Sequence, residues 1–369
     1  MRRRNLIVHE PGRVELMDEG LPPLPDGGLL LQTLATALSP GTELTFVKGD
    51  HPGLHSQFDP ELGLFQSGTR SWGYPVQRLG YMEVARVAQT RTDAFAIGDM
   101  VASAYGHATA HVSDPLHEHV VSLPDDLDPI LGVYVAHLGP ICANGLLHAA
   151  AEVVGSGATR LGDGVEGRRV VVTGAGLIGL LTALLAHEHG AEEVAVVEQD
   201  PRRRALAEAL GLLSVDAGDD PALMLKTRWR HGPRDHGADV AFQCRGRPRA
   251  LATALRAVRP QGTVVDLAFY TEGADLVRLG DEFHHNGLIL RSAQIGRVPR
   301  GMASVWDRQR LSAETIRLLR ARGGDIRKHL ITDIVDIVQA PRLLIDVAAR
   351  RRHVLSAVFT VGDGARLAD

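Results

Sequence analysis

Gly174, Gly176 and Gly179 set the spacing G-x-G-x-x-G inside VVVTGAGLIGLLTALLA, residues 170–186. They follow a β-branched run at 170–173 and open an apolar helical run that reaches Ala186. That arrangement suits a dinucleotide. The first glycine permits the tight strand-to-helix turn, the second lets a pyrophosphate approach the backbone, and the third lets helix and strand pack closely. The unpaired N–H groups at the helix start would face the phosphates, so Leu177 and Ile178 join the glycines as cofactor-binding candidates. A second apolar run, 194–197, ends in Glu198, 19 residues after Gly179. An acid there accepts hydrogen bonds from both ribose hydroxyls and repels a 2′-phosphate. A glycine-rich turn without a ligand would explain the glycines but not the strand, helix and acid around them. Arg202, Arg203 and Arg204 come next, and arginines near this loop can hold a 2′-phosphate. Taken as the solvated first turn of a helix opened by Pro201, they leave NAD favoured over NADP.

Histidines number 17, and GHATAHVSDPLHEHVV concentrates His107, His111, His117 and His119. Spacings of four and two would put each pair on one face of a strand, which makes a metal site conceivable. Surface or hydrogen-bonded histidines are the plainer reading, because cysteine and acid support is thin, and no metal is expected. His284–His285 would alternate faces on an extended segment. Cys142 and Cys244 are the two cysteines, far apart in sequence, which excludes a disulfide framework and a four-cysteine zinc site. A reducing, cytoplasmic setting fits them, and Cys244 reads as a packed thiol.

The elements that must position these residues follow from composition and pattern. The chain has 369 residues, 44% hydrophobic and 23% charged, which is comfortable for two domains. A net charge of −4 and 4% aromatic residues give no case for nucleic acid or an anionic membrane. The basic N-terminus lacks an apolar core long enough for a signal peptide, and the longest apolar run carries the glycines, so no membrane span is expected. Short apolar or alternating runs at 6–9, 28–37, 81–89, 100–104 and 119–123 predict a β-rich first domain over residues 1–150. Within it, the polar and aromatic stretch 49–80 has few periodic signals and reads as functional. Strands at 170–173, 194–198, 240–243, 263–267 and 288–292 alternate with helices starting near Gly179, Pro201 and Arg249. This α/β alternation predicts a doubly wound parallel sheet over 151–305. The tail, 306–369, carries helical runs at 313–322 and 341–351 and strand-like runs at 330–334 and 354–359.

The order of these pieces resembles the medium-chain dehydrogenase/reductase superfamily over nearly the whole chain. SPGTEL (39–44) is similar to its C-G-T-D segment, LGYMEVARV (79–87) to G-H-E-x-x-G-x-V, and AFAIGDMV (94–101) to its G-D-x-V turn. HLGPICANGLLHA (137–149) resembles its E-P-x-x-x-x-x-H-A helix; GADVAFQCRG (237–246) and RPQGTVVDL (259–267) complete the coenzyme domain. The resemblance implies a GroES-like β-barrel catalytic domain, a Rossmann coenzyme domain, and a C-terminal return to the barrel. It also places Cys244, Leu267 and Gln294 near the cofactor by position. The segment 283–296 resembles the superfamily's sheet-pairing edge and implies a homodimer.

The departures from that pattern bear on mechanism. Pro40 stands at the zinc-ligand cysteine, Tyr81 at the histidine, Met82 at the glutamate, and Gly139 where polyol dehydrogenases carry a glutamate. Such side chains do not suit zinc, and the cysteine-rich structural lobe is missing. Without metal, a hydrogen-bonding group must handle the proton. Thr42 matches the family's substrate-facing hydroxyl, Tyr81 could donate to a carbonyl, and Glu43 could orient Tyr81 or a histidine. His107 is the candidate acid/base, with His137 in reserve. Tyr81 could equally just fill the vacated cavity. The expected activity is zinc-independent hydride transfer between NAD(H) and a secondary alcohol or ketone, on a small polyol, cyclitol or sugar-like substrate. The alternatives are NADPH-dependent reduction of an activated C=C bond, which Glu198 disfavours, and a non-catalytic NAD(H)-binding protein.

Overall fold

Short valine-rich runs, each followed by a glycine turn or a helix opened by proline, assemble into one parallel sheet. In the computed structural model, which describes residues 2–271, 273–362 and 364, its six strands lie in the order Leu213–Asp216, Glu193–Glu198, Arg169–Thr173, Ala238–Gln243, Val258–Asp266, Ile289–Ser292. Chain order across the sheet is thus 3-2-1-4-5-6, the doubly wound Rossmann arrangement, whose crevice opens where strand order reverses. The helices Pro201–Ala209, Pro221–Arg228 and Pro248–Ala257 each carry proline in the first turn, where a missing N–H costs nothing. Asp200 and Asp220 cap two of them, accepting from Arg202 N and Leu223 N. Val171, Ala195, Val215, Ala241 and Val264 pack with Trp229, Leu251 and Leu255 on one face of the sheet.

The chain divides into two compact units, Leu138–Asp325 and Met1–His137 with Ile326–Asp369. The sequence had suggested 151–305 for the first of these. The difference comes from the helix Leu138–Val154, which packs on Leu177–Glu188, and from the helix Arg308–Leu330, most of which falls within that unit.

The other unit is built on a largely antiparallel seven-stranded sheet. Its path runs Asp333–Asp336, Ala357–Thr360, Leu29–Ala37, Glu83–Thr90, Met100–Ser103, Val120–Ser122, and Ala110–Ser113 also pairs with Leu29–Ala37. A hairpin of Arg2–Glu10 and Arg13–Gly20 joins through isolated bridges. Leu6, Val8, Leu38, Phe46, Leu79, Leu344 and Phe359 form the core that buries the helix Pro40–Lys48. The sequence reading missed that helix, the strand Ala110–Ser113 and the edge strand Leu213–Asp216. Each is short, with too few residues to display a period. The stretch 49–80 holds a small hairpin, Ser56–Asp59 with Leu64–Ser67. Among the described residues no helix is long and apolar enough to cross a membrane.

Candidate active site

At the glycine turn, backbone geometry dictates residue type. Gly174 has φ +100°, a conformation side chains resist, and a Cβ there would stand 2.9 Å from Arg245 Cβ. A Cβ on Gly179 would stand 1.8 Å from the Gly174 carbonyl oxygen, so helix and turn touch. Gly176 caps the helix Leu177–Glu188, and a Cβ there would meet nothing within 4 Å. The turn therefore presents bare backbone, with Leu177 and Ile178 opening the helix, and fits a pyrophosphate.

Glu198 sits at the end of its strand as expected, but its carboxylate is engaged with the protein. Oε2 accepts from Ala175 N at 3.0 Å, and Oε1 accepts from Gln199 N at 2.8 Å and Asp200 N at 3.0 Å. Arg245 adds a guanidinium nitrogen at 3.4 Å, and Glu198 is only 3% exposed. Arg202 pairs with Asp200, and Arg204 with the Glu198 and Gln199 carbonyls and Asp216.

A polar chain that the sequence did not reveal fixes the loops at the carboxyl ends of the central strands. Thr173 Oγ1 donates to Gln243 Oε1 at 2.5 Å, and Gln243 Nε2 donates to Arg245 O and to Tyr270 Oη. The Tyr270 hydroxyl donates to Asp266, whose carboxyl is raised by burial. Cys244 lies between these strands with its thiol pushed well up by burial, the state of a packed sulfur. Leu267 N donates to Gln243 O, and the Leu267 side chain lies against Gly145. Gln294 is exposed and its side chain folds onto Gly296 N, while buried Asn144 donates to the Gln294 and Arg297 carbonyls. Gln294 therefore belongs to a turn held by Asn144.

In the other unit, Tyr81 belongs to a hydrogen-bonded network. Tyr81, partly buried, donates its hydroxyl to Ser39 Oγ and also interacts with Thr42. Ser39 N donates to Glu43 Oε1 at 2.7 Å, closing the first turn of Pro40–Lys48. Glu43 Oε2 lies 2.7 Å from His107 Nε2, and His107 Nδ1 lies 2.8 Å from Thr36 Oγ1. Glu43 and His107 are buried, and Gly80 (φ +91°) leaves the room His107 occupies, since a Cβ there would meet Nε2 at 2.8 Å. Burial first, and then the Glu43 carboxylate, push the Tyr81 phenol up to about 12. The tilted rings of Tyr81 and His137 lie 4.5 Å apart.

Three expectations change here. His107 has both ring nitrogens engaged, one by Glu43 and one by Thr36, and has no exposed surface, so it does not face a cleft. The histidine cluster does not share strand faces, because only His111 lies in a strand. His111 pairs with buried Glu83 and stacks on Tyr105, and exposed His117 pairs with Asp114. Likewise His284 and His285 sit exposed on a helical turn, not an extended segment. Among the described residues no group of three or more His, Cys, Asp or Glu could hold a metal ion. The former ligand positions offer zinc little: Pro40 begins a helix, Met82 is buried, and a Cβ on Gly139 would stand 2.1 Å from Thr315 Cγ2. Tyr81 has the lone oxygen donor of the four, held as a neutral phenol.

The family model described as zinc-binding dehydrogenase matches residues 178–312, a span that excludes Pro40, Tyr81, Met82 and Gly139. The (R,R)-butanediol dehydrogenase of Bacillus subtilis (strain 168) is 30% identical over 129 residues, 35% of this chain and 34% of that protein. The match thus spans about a third of that relative's length. D-guloside 3-dehydrogenase of Escherichia coli (strain K12) is 26% identical over 315 residues, 82% of this chain and 83% of that protein. Among solved structures, a protein of Sinorhizobium meliloti 1021 bound to NADP superposes with TM-score 0.73 at 19% identity, covering 98% of this chain and 100% of that one. At that identity the likeness is one of fold.

Proposed function

We propose that the chain is a medium-chain dehydrogenase/reductase and, within that superfamily, a zinc-independent oxidoreductase working between NAD(H) and a secondary alcohol or its ketone. The substrate class is a polyol, cyclitol or sugar-like metabolite, and the working form is a cytoplasmic homodimer paired along the edge strand Ile289–Ser292. The carrying observation is the Tyr81–Ser39–Glu43–His107 network, in which Tyr81 stands where the resemblance puts a zinc-ligand histidine. The glycine turn would hold the pyrophosphate through Gly174, Gly176, Leu177, Ile178 and Gly179. When bound, the nicotinamide supplies or accepts the hydride.

The chain's own residues then move the proton. Tyr81 stays protonated through the neutral range because burial and Glu43 disfavour its phenolate. Its hydroxyl can turn from Ser39 Oγ to a substrate carbonyl oxygen and donate as charge builds there. Ser39 and Thr42 are the hydroxyls through which Tyr81 recovers that proton. Glu43, fixed by Ser39 N and His107, positions this hydroxyl group, and Thr36 with His107 keeps Glu43 in place.

The test is turnover of a polyol and ketosugar panel with NAD⁺ or NADH before and after exhaustive chelation, with elemental analysis of the same sample. Metal-free activity, and a Tyr81→Phe variant that binds NADH normally but turns over about 10²–10⁴-fold slower, are expected. Activity that disappears on chelation and returns with zinc would end this reading. Turnover confined to enones would move the activity to C=C reduction, and nucleotide binding without any turnover would make the chain a sensor.

A further inference from the structure

The carboxyl end of the helix Leu177–Glu188, opposite the glycine turn, carries a second cavity. It measures about 380 Å³ and lies within the unit Leu138–Asp325. A helix of 12 residues is about 18 Å long, so the cavity stands well clear of the turn. Its walls are His189 and Gly190 at the end of that helix, the turn Leu161–Gly164, and one face of the helix Arg308–Leu330. That face presents Arg310, Glu314 and Arg317, whose spacings of four and three put them in one row.

Arg160, Arg310 and Arg317 line the cavity against Glu166, Glu188 and Glu314, so the formal charges cancel. Most of them are already paired. Arg160 meets Glu166 at 2.7 Å and also Asp163, Glu188 meets Arg322 at 3.1 Å, and Arg317 meets Glu314 Oε1. Two groups are left. The Glu314 side chain is 5% exposed, and its Oε2 has no hydrogen-bond partner among the described residues. His189 Nε2, 3.7 Å from it, is too far to donate. Burial first, and then the Arg317 charge, push the His189 imidazole down, so it brings Glu314 no counter-charge at neutral pH. Arg310 donates to the Val305 and Thr159 carbonyls and lies 3.8 Å from the Trp306 ring centre, all neutral partners. Those bonds use two of its five donors.

A buried carboxylate oxygen without a donor is costly. A water could donate to Oε2 but would leave Arg310 without an anion, and an anion alone would face Glu314. A molecule with an ammonium and a carboxylate a few ångströms apart serves both groups. The carboxyl end of a helix also favours positive charge beside it, which suits the ammonium.

We infer that this cavity binds a free α-amino acid, its ammonium donating to Glu314 Oε2 and its carboxylate accepting from Arg310. The site is separate from the glycine turn and does not depend on the nucleotide reading.

The test is calorimetric titration of the full chain with the proteinogenic α-amino acids. The best of them is then compared with its analogue lacking the amine and its analogue lacking the carboxylate. At least one amino acid is expected to bind with a Kd below about 1 mM, and both analogues at least tenfold more weakly. Glu314→Gln and Arg310→Gln should each weaken the amino acid at least tenfold, with circular dichroism as the folding control. Should Glu314→Gln fail to fold, Arg310→Gln and the two analogues carry the test. An amino acid held elsewhere on the chain would ignore both substitutions. No amino acid bound at about 10 mM, an analogue within tenfold of its parent, or folded variants within tenfold of the natural chain would each overturn the inference.

Discussion

Two buried glutamate–histidine pairs lie within one unit, and they differ in what surrounds them. Glu83 accepts from Thr33 Oγ1 at 2.6 Å and Ser103 Oγ at 2.5 Å and pairs with His111, whose ring stacks on Tyr105 at 3.8 Å. Every oxygen of Glu83 has a partner, and all of them serve the sheet. Glu43 pairs with His107 at a similar depth, but its other oxygen is held by Ser39, which is also bonded to the partly buried Tyr81. A buried ion pair is therefore no mark of chemistry by itself. The second pair differs because a titratable hydroxyl, that of partly buried Tyr81, lies two hydrogen bonds away through Ser39.

Substitutions can separate the two. Glu83→Ala should show the largest effect, about 3–5 kcal/mol of stability by urea unfolding, because it leaves His111 buried without its counter-charge. A loss below roughly 1 kcal/mol would mean that the pair is not the anchor described here. Glu43→Gln should cost less stability and about 10² in kcat for ketone reduction. It should also lower the Tyr81 titration from about 12, since the Glu43 charge helps to hold it up, whereas Glu83→Gln should leave the phenol unmoved. An unchanged phenol titration in Glu43→Gln would detach Tyr81 from the network.

Acid unfolding should isolate the Glu83 pair. Burial alone would raise the Glu83 carboxyl, but the His111 charge and the hydrogen bonds from His111, Ser103 and Thr33 bring it below its ordinary 4.5. A depressed folded-state value adds stability that is fully present above the unfolded value and is lost as pH falls through the folded one. Stability measured below pH 4.5 should therefore decline less steeply in Glu83→Gln than in the natural chain. The smallest effect belongs to His117→Ala, which removes an exposed pair with Asp114 and should leave Tm and turnover unchanged.

The glycine turn was legible because its geometry is local. Gly174, Gly176 and Gly179 act within one turn, and valine runs disclosed the strands that carry it. The Tyr81 network was legible only as a set of residue types. Tyr81 and Ser39 are 42 positions apart, and Glu43 and His107 are 64 apart. Their contact depends on the pairing of Leu29–Ala37 with Glu83–Thr90 and on the unforeseen helix Pro40–Lys48. The sequence named Tyr81, Thr42, Glu43 and His107 but not Ser39, the hydroxyl between them, nor Thr36 behind His107. Glu198 shows the converse. Its place was legible, but its engagement with Ala175, Gln199 and Asp200 was not, because backbone N–H groups carry no residue code.

One pairing in the sheet has a consequence during synthesis. Leu29–Ala37 has Ala357–Thr360 as a neighbour, with Val358 opposite Ala37. At ribosomal rates of about 5–20 residues per second, the earlier strand waits roughly a quarter of a minute to a minute for its partner. The parallel sheet, made from one continuous stretch of chain, can close within that interval. A nascent chain stalled before residue 357 would hold the sheet of Leu138–Asp325 and an open hydrogen-bonding edge at Ala35–Ala37, beyond the part that Ala110–Ser113 already covers, which makes that end of the strand the natural client of a chaperone until translation ends.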